Sequence, residues 1–258
     1  MRVTVTYDLP DADGPRGGPV QVGWMLTEDK AGIVFGPPER MRSAEVNRRH
    51  GKSASRCPAI INLESRYFVV PCPFDIHIEF ARDKDGKAAL RNLAGDAGSV
   101  RRKKLGEHLH LTGEAEWRYP DRPTIQLSLP YIFLADEPVY MSQTGAFMHY
   151  RSDPIPGTTF GGRFPIDIWP RPLLWAFEWH EPTKPLQLRR GEPLFYCHFE
   201  TTPADRPVQM VEAEKTPELL EYLDLIGGAV NYVNQTFSLF KAAEARRPTK
   251  LLVPKARG

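Results

Sequence analysis

Few of the features that mark a large functional class are present in this sequence. The chain has only three cysteines, Cys57, Cys72 and Cys197, with no C-x-x-C pair, which argues against a disulfide framework or a structural zinc site. We expect reduced thiols that are mostly buried. No apolar stretch approaches the roughly 20 residues of a transmembrane helix, and the N-terminus alternates like a strand instead of carrying a signal core. We therefore expect a cytoplasmic protein with no membrane partner.

Neither sign of charge dominates the chain. The 34 basic and 32 acidic side chains leave a formal charge of +2, so the total does not call for a polyanionic partner. Two polar segments, 37–56 and 82–104, are predicted to be surface loops, the second as a basic insertion. Their basic clusters are not interleaved with aromatic residues, which predicts a solvated surface and no clear nucleic-acid site.

Turn-forming residues, by contrast, are abundant. With 25 prolines and 20 glycines, the sequence excludes long helices from most of the chain. Short runs with strand character lie between these residues, at 2–9, 19–26, 59–63, 66–71, 74–80, 109–117, 124–130, 173–179, 186–190 and 193–200. Such spacing predicts a mainly β fold, a sandwich or barrel, over residues 1–210.

The C-terminal part carries a helical pattern. Thr216 is suited to the N-cap position and Pro217 to the first helical position. Apolar residues then follow at steps of four and three: Leu219, Leu223, Ile226, Val230, Val233, Phe237 and Phe240. We predict a helix over 216–245 that packs on the β body; with only about three heptads, an intermolecular coiled coil is the less favoured alternative. We expect residues 246–258 to form a basic, extended tail.

A possible metal site is indicated by "HLHLTGE". His108 and His110 are expected on one side of a strand, with Glu114 following. This order resembles the first motif of metal-binding cupins, which would imply a metal-dependent oxygenase or isomerase. No segment matches the second cupin motif, and solvent-facing histidines are the alternative interpretation. A second pair, His198 and Glu200, forms an H-x-E on one strand face, while nucleotide-loop and nucleophile-elbow motifs are missing from the sequence.

Two segments, "IDIWPRPLLWAFEW" from Ile166 and "LQLRRGEPLFYCHFE" from Leu186, resemble the last strand block of the dUTPase and dCTP deaminase superfamily, which has the β-clip fold. Upstream, "TIQLSLP" is similar to the strand of that family that ends in Leu-Pro, and "SQTGAF" stands in the place of its phosphate-binding loop. The resemblance covers residues 124–200. It implies a β-clip-like barrel or sandwich and a possible trimer with sites between subunits.

The same resemblance implies a site. Asp167 takes the place of the aspartate that orients the attacking water, although an Asx-turn that satisfies a backbone N–H is the alternative role. Ligand contacts are implied for Gln143, Thr144, Gly145, Trp169 and Arg171. Gln143 and Thr144 replace the arginine and serine of the family's loop, so the charge-assisted contact to phosphate is lost. We therefore expect binding more readily than catalysis, and no cofactor.

A wider resemblance, over residues 57–200, is to a family of bacterial and phage proteins of unknown function. A Cys-Pro-rich strand pair, the D-x-W element at Asp167 and the Gly-Glu-Pro turn at Gly191 carry it, and it implies an architecture without an activity. The sequence as a whole predicts a catalytically degenerate, dUTPase-like β-clip protein that binds a small ligand, nucleotides included, or a protein partner. A cupin-like metal enzyme and a phage or assembly structural protein are the alternatives.

Overall fold

The computed structural model of the chain describes residues 18–42, 53, 56–95, 102–204, 206–229 and 236–256. These residues form a mainly β protein with helices at the C-terminal end, as the sequence predicts. The strands are β1 Val20–Leu26, β2 Glu39–Arg40, β3 Tyr67–Pro71, β4 Ile76–Arg82, β5 Ala88–Asn92, β6 Leu109–Leu111, β7 Thr124–Leu134, β8 Tyr140–Gly145, β9 Gly157–Thr159, β10 Gly162–Pro165, β11 Pro172–Trp179, β12 Leu186–Leu188, β13 Pro193–Glu200 and β14 Val208–Glu212. The helices are α1 Pro58–Glu64, α2 Arg102–His108, α3 Pro217–Ala229 and α4 Thr236–Glu244. The predicted strand 2–9 lies outside the described residues.

The strands form three sheets. Sheet I has the order β14-β1-β7-β11-β9, with β6 also paired to β7; sheet II has the order β10-β8-β13-β3-β2; sheet III has the order β12-β4-β5. Pairing is antiparallel except between β1 and β14, which are parallel. Apolar residues from the inner faces of all three sheets meet in one core, which includes Trp175 and Phe177 of sheet I, Phe195 of sheet II and Ile78 of sheet III.

A second apolar cluster lies on the outer face of sheet I, where the C-terminal helices pack. Leu219, Tyr222 and Ile226 of α3 are buried there against Met25 and Ile132 of the sheet. The backbone N–H of Leu219 donates to Thr216 Oγ1 over 3.2 Å, so the predicted N-cap is confirmed. The predicted helix is present over α3 and α4; residues 230–235, with Val230 and Val233, lie outside the described part of the chain.

The C-terminal tail is fixed to the β body by two polar side chains. Arg247 donates from Nε to the backbone oxygen of Asp167 over 2.6 Å and from NH2 to that of Asp136 over 2.8 Å. Asp136 Oδ1 accepts from the backbone N–H groups of Leu251 and Leu252 at 2.6 and 3.1 Å, and both leucines are buried. The basic tail therefore belongs to the packed structure.

One short segment passes from one sheet to another. β9 is hydrogen-bonded to β11 in sheet I, whereas β10, which follows it directly, is hydrogen-bonded to β8 in sheet II. Only Phe160 and Gly161 separate the two strands. Residues 157–165 therefore join the two large sheets along one edge.

Three strand or loop predictions need correction. Residues 59–63 are predicted as a strand but lie in α1, which has Pro58 at its first position, because a short apolar run does not separate strand from helix. The strand predicted over 109–117 ends at Leu111, since Gly113 and a short 3-10 turn at Glu114–Glu116 follow. The loop predicted over 82–104 contains β5, which forms a hairpin with β4 around Gly86 at φ 78°.

The predictions for the cysteines, for the segment 37–56 and for membrane-spanning helices can also be compared with the structure. Cys72 and Cys197 are buried and Cys57 is exposed, and all three are free thiols. The segment 37–56 contains the two-residue strand β2, and most of the rest of that segment is not described. Among the helices that the structure describes, none is both long and apolar enough to cross a membrane.

Candidate functional site

A cleft of about 930 Å³ opens where β8 and β13 of sheet II approach β9 and β11 of sheet I. We call it the β8–β9 cleft. It is lined by Thr144 and Gly145 at the end of β8, by most of the segment 146–155, by β9, by Trp175 of β11 and by Leu188, Pro193 and Leu194. Two residues predicted to contact a ligand, Thr144 and Gly145, are thus on its wall.

The floor of the cleft is held by tight packing between β9 and β11. A side chain at Gly157 would overlap the backbone oxygen of Glu178 and the ring of Phe177, so only glycine allows this approach. Trp175 is fully buried, and its indole N–H donates to Thr159 Oγ1 over 3.2 Å. The indole is therefore held in place behind the wall of the cleft.

The outer wall consists of exposed apolar side chains. Phe147 and Met148 are about half exposed, and Tyr150 is 88% exposed. The Phe147 ring stands edge-on to the rings of Tyr67 and Tyr196, with centroids 5.6 and 5.2 Å apart. Exposed aromatic and methionine side chains grouped around a concave surface are typical of binding sites.

Two polar groups of the cleft, the Thr144 hydroxyl and the Arg151 guanidinium, differ in whether they have a partner. The Thr144 hydroxyl is buried and has no hydrogen-bond partner among the described residues, and an unpaired buried hydroxyl is energetically unfavourable. Arg151 forms an ion pair with Glu192 and donates to the backbone oxygen of Gln187 over 2.7 Å. The arginine is thus engaged within the protein, whereas the hydroxyl has no partner among the described residues.

Asp167 lies in the turn between β10 and β11, as the sequence predicts, and is 8% exposed. The backbone N–H of Val139 donates to its Oδ1 over 3.5 Å. Burial raises the pKa of the Asp167 carboxyl, and the N–H groups of Asp167 and Val139 and the charge of Arg247 oppose that rise. Asp167 does not line the β8–β9 cleft. Its contact with Val139 holds the turn against the segment before β8, a structural role, although the donor is not the local N–H of an Asx-turn.

The remaining predicted ligand residues lie outside the β8–β9 cleft. Trp169 and Arg171 line a different cleft, of about 540 Å³, between sheet I and α3, which shares no lining residue with the β8–β9 cleft. Trp169 is buried there and packs on Phe240, with ring centroids 5.4 Å apart. Gln143 points inward and donates from Nε2 to the backbone oxygen of Leu174 over 3.1 Å. The structure therefore does not bring the predicted ligand residues together into one site.

The histidines of the alternative metal site are also separated by secondary structure. The prediction that His108 and His110 share a strand is wrong, because His108 is the last residue of α2 and His110 belongs to β6. His110 Nε2 lies 3.3 Å from Gln126 Oε1, and Glu114 accepts two hydrogen bonds from Arg82, which lowers the pKa of its carboxyl. The described residues include no group of three or more His, Cys, Asp or Glu suited to a metal ion.

Sequence reasoning missed the aromatic members of the cleft, Phe147, Tyr150 and Trp175. A partial signal was available in "AFMHYR", where large apolar residues recur inside a segment rich in turn residues. Comparison with known proteins gives no further guidance: no family model, curated protein or solved structure matches the chain.

Proposed function

We propose that this chain is a β-clip-like binding protein and that its β8–β9 cleft takes a small, uncharged planar ring compound of the nucleoside class. The observation that carries the proposal is the buried hydroxyl of Thr144, without a partner among the described residues, on the wall of a cleft that Phe147 and Tyr150 also line. Apolar walls with a few polar groups are the usual composition of small-molecule sites. The resemblance of residues 124–200 to the dUTPase and dCTP deaminase superfamily supports the same ligand class.

The charges of the cleft favour a nucleoside over a nucleotide. Arg151 is held by Glu192 and by the Gln187 carbonyl, so a phosphate would have to displace an existing ion pair. Charge-assisted contacts are what phosphate recognition depends on. The Asp167 carboxylate lies outside the cleft and accepts from the backbone N–H of Val139, which supports binding without hydrolysis.

Thermal unfolding with a panel of the five common nucleosides and their 5′-triphosphates tests this function. A nucleoside present at 100-fold its dissociation constant is expected to add about 2.7 kcal/mol to the free energy of unfolding. The matching triphosphate should bind more weakly. Stabilisation by triphosphates alone would contradict the proposal, and no stabilisation by any member would favour a protein partner instead.

Thr144→Val gives the sharpest variant, since it removes the hydroxyl and keeps the shape of the side chain. We expect the free protein to be as stable as the wild type or slightly more stable, because an unpaired buried group is removed. Nucleoside affinity should fall by roughly 2- to 10-fold, the loss of one hydrogen bond of about 0.5–1.5 kcal/mol.

Thr112→Val is the matched control. Thr112 carries the other buried hydroxyl without a partner among the described residues, and it does not line the β8–β9 cleft. It should change stability in the same direction and leave nucleoside affinity unchanged. Equal affinity losses in both variants would show that the Thr144 hydroxyl makes no contact with the ligand.

A further inference from the structure

The outer face of sheet II carries an ordered set of polar and aromatic side chains that the β8–β9 cleft does not use. Across four neighbouring strands, Arg163, Ser142, His198 and Tyr67 lie opposite one another in register. Tyr140 and Glu200, which are paired with each other, form the next row. We call these six residues the outer platform. It includes His198 and Glu200, the H-x-E pair of the sequence.

The polar members of the outer platform hold one another in place. Arg163 binds Glu200 through Nε and NH2, at 3.0 Å to Oε1 and 2.7 Å to Oε2, and Ser142 Oγ donates to Glu200 Oε1 over 3.0 Å. The Arg163 and Glu200 side chains are nevertheless 52% and 39% exposed. Fixed, solvent-facing donors and acceptors can bind a ligand with little loss of side-chain entropy.

Aromatic rings lie on both sides of this polar group. Tyr140 is 39% exposed, and the Arg163 guanidinium stacks 3.8 Å from the centre of its ring. On the other side the His198 and Tyr67 rings are stacked with centroids 4.6 Å apart. Two strand spacings of about 4.8 Å and two residue rises of about 3.4 Å place Tyr140 and Tyr67 roughly 12 Å apart. A chain of linked rings is needed to contact both.

The charge of the outer platform indicates the class of that chain. Glu200 neutralises Arg163, and burial lowers the pKa of His198, so its imidazole is uncharged at neutral pH. Nucleic acids and other polyanions require an uncompensated basic groove. Sugar rings instead present apolar C–H faces to aromatic rings and hydroxyls that both donate to carboxylates and accept from arginine and serine.

We propose that the outer platform binds a neutral oligosaccharide, with sugar rings on Tyr140 and on the Tyr67–His198 pair and hydroxyls bound by Arg163, Glu200 and Ser142. None of its six residues lines the β8–β9 cleft, although the Tyr67 ring contacts Phe147 of the cleft wall.

Affinity electrophoresis in gels containing neutral polysaccharides, namely a β-glucan, amylose, xylan, mannan and galactan, tests the site, with heparin and a 20-nucleotide oligo(dT) as anionic comparators. We expect retardation by at least one neutral polysaccharide, with little change between low and high salt. Retardation by none of the five overturns the proposal. Retardation confined to the anionic polymers and lost at high salt also overturns it, in favour of a polyanion site.

Three variants locate the binding. Tyr140→Ala should weaken binding at least about tenfold, equivalent to roughly 1.4 kcal/mol, whereas Tyr140→Phe keeps the ring and should bind nearly as the wild type does. Glu200→Gln should weaken binding as well, because it breaks the ion pair that positions Arg163. Circular dichroism and thermal unfolding check that the variants fold. Wild-type binding by a folded Tyr140→Ala variant would refute the assignment of this face.

Discussion

Sheets I and II contribute their inner faces to the same core, yet their outer faces are completed in different ways. On sheet I the outer residues are apolar, such as Met25 and Ile132, and α3 covers them. On the outer platform of sheet II the residues are polar or aromatic, such as Ser142 and Glu200, and within the described part of the chain the Glu200 side chain is 39% exposed. The difference shows that the side-chain alternation of each strand decides which sheet acquires a helical cover.

Strand β7 of sheet I has one half that the C-terminal helices cover and one half that they do not. Its first half alternates between buried and half-buried residues from Ile125 to Pro130, and the last four residues, 131–134, are all buried. In that second half Tyr131 and Phe133 face the shared core, while Ile132 and Leu134 face the helices. A change from alternating to continuous apolar sequence therefore marks the point where the helical cover begins.

The largest effect is expected where the helical cover meets sheet I. Trp169→Ala removes a buried ring that packs on Phe240, and we expect a loss of about 3–5 kcal/mol in the free energy of unfolding. Tyr140→Ala on the open face of sheet II should cost about 0.5 kcal/mol. Urea denaturation of both variants measures the contrast. Similar losses at the two positions would remove the distinction between the covered and open faces.

A smaller loss is expected from the tail that holds the cover in place. Arg247→Met leaves the backbone oxygens of Asp136 and Asp167 without their donors, at a cost of about 1–3 kcal/mol. Arg246→Met is the matched control, since Arg246 is the adjacent exposed arginine. Thermal unfolding and limited proteolysis after residue 244 report the effect. Equal behaviour of the two variants would mean that Arg247 does not anchor the tail.

The smallest expected effect is a change in the pH dependence of stability, and its direction follows from the pKa of Asp167. Because burial raises the pKa of folded Asp167, its contribution to stability is full below the unfolded pKa and is lost as pH rises through the folded pKa. Asp167→Asn keeps an acceptor for the Val139 N–H and should be at least as stable as the wild type at neutral pH. Relative to the wild type, the variant should lose stability as pH falls. Urea titrations over a pH series measure this slope.

Glu137→Gln provides the comparison of opposite sign for that experiment. The hydrogen bond from Arg206 lowers the pKa of the Glu137 carboxyl, so its contribution is present above the unfolded pKa and is lost as pH falls through the folded pKa. The two variants should therefore diverge from the wild type in opposite directions. Slopes of the same sign would contradict the assigned environment of Asp167.

Strands with apolar inner faces could be predicted from the sequence, whereas β8 could not. The runs at 66–71, 173–179 and 193–200 match β3, β11 and β13 closely. In β8 the inner face carries Gln143, whose amide is satisfied by the Leu174 carbonyl of another sheet. No local pattern reveals such a partner, so this segment resembled a loop. Residue propensity and hydrophobic periodicity do not predict a strand whose buried polar side chain has its hydrogen-bond partner in a distant part of the chain.

The candidate site could be predicted only in part for the same reason. Thr144 and Gly145 were expected to contact a ligand and do line the cleft, but Trp175 joins them through pairing between β9 and β11. Trp169 and Arg171, adjacent to the same turn as Asp167, face the helical side of sheet I instead. Neighbours in sequence are separated here because successive strands enter different sheets.

The passage of residues 157–165 from sheet I to sheet II has a mechanical consequence. Thr158 and Thr159 touch the cleft, and Arg163, a few positions later, belongs to the outer platform. Any displacement of β9 would therefore reach the backbone of Arg163 within a few residues. The cleft wall and the outer platform thus share one continuous stretch of chain, in which only Phe160 and Gly161 lie between the paired strands.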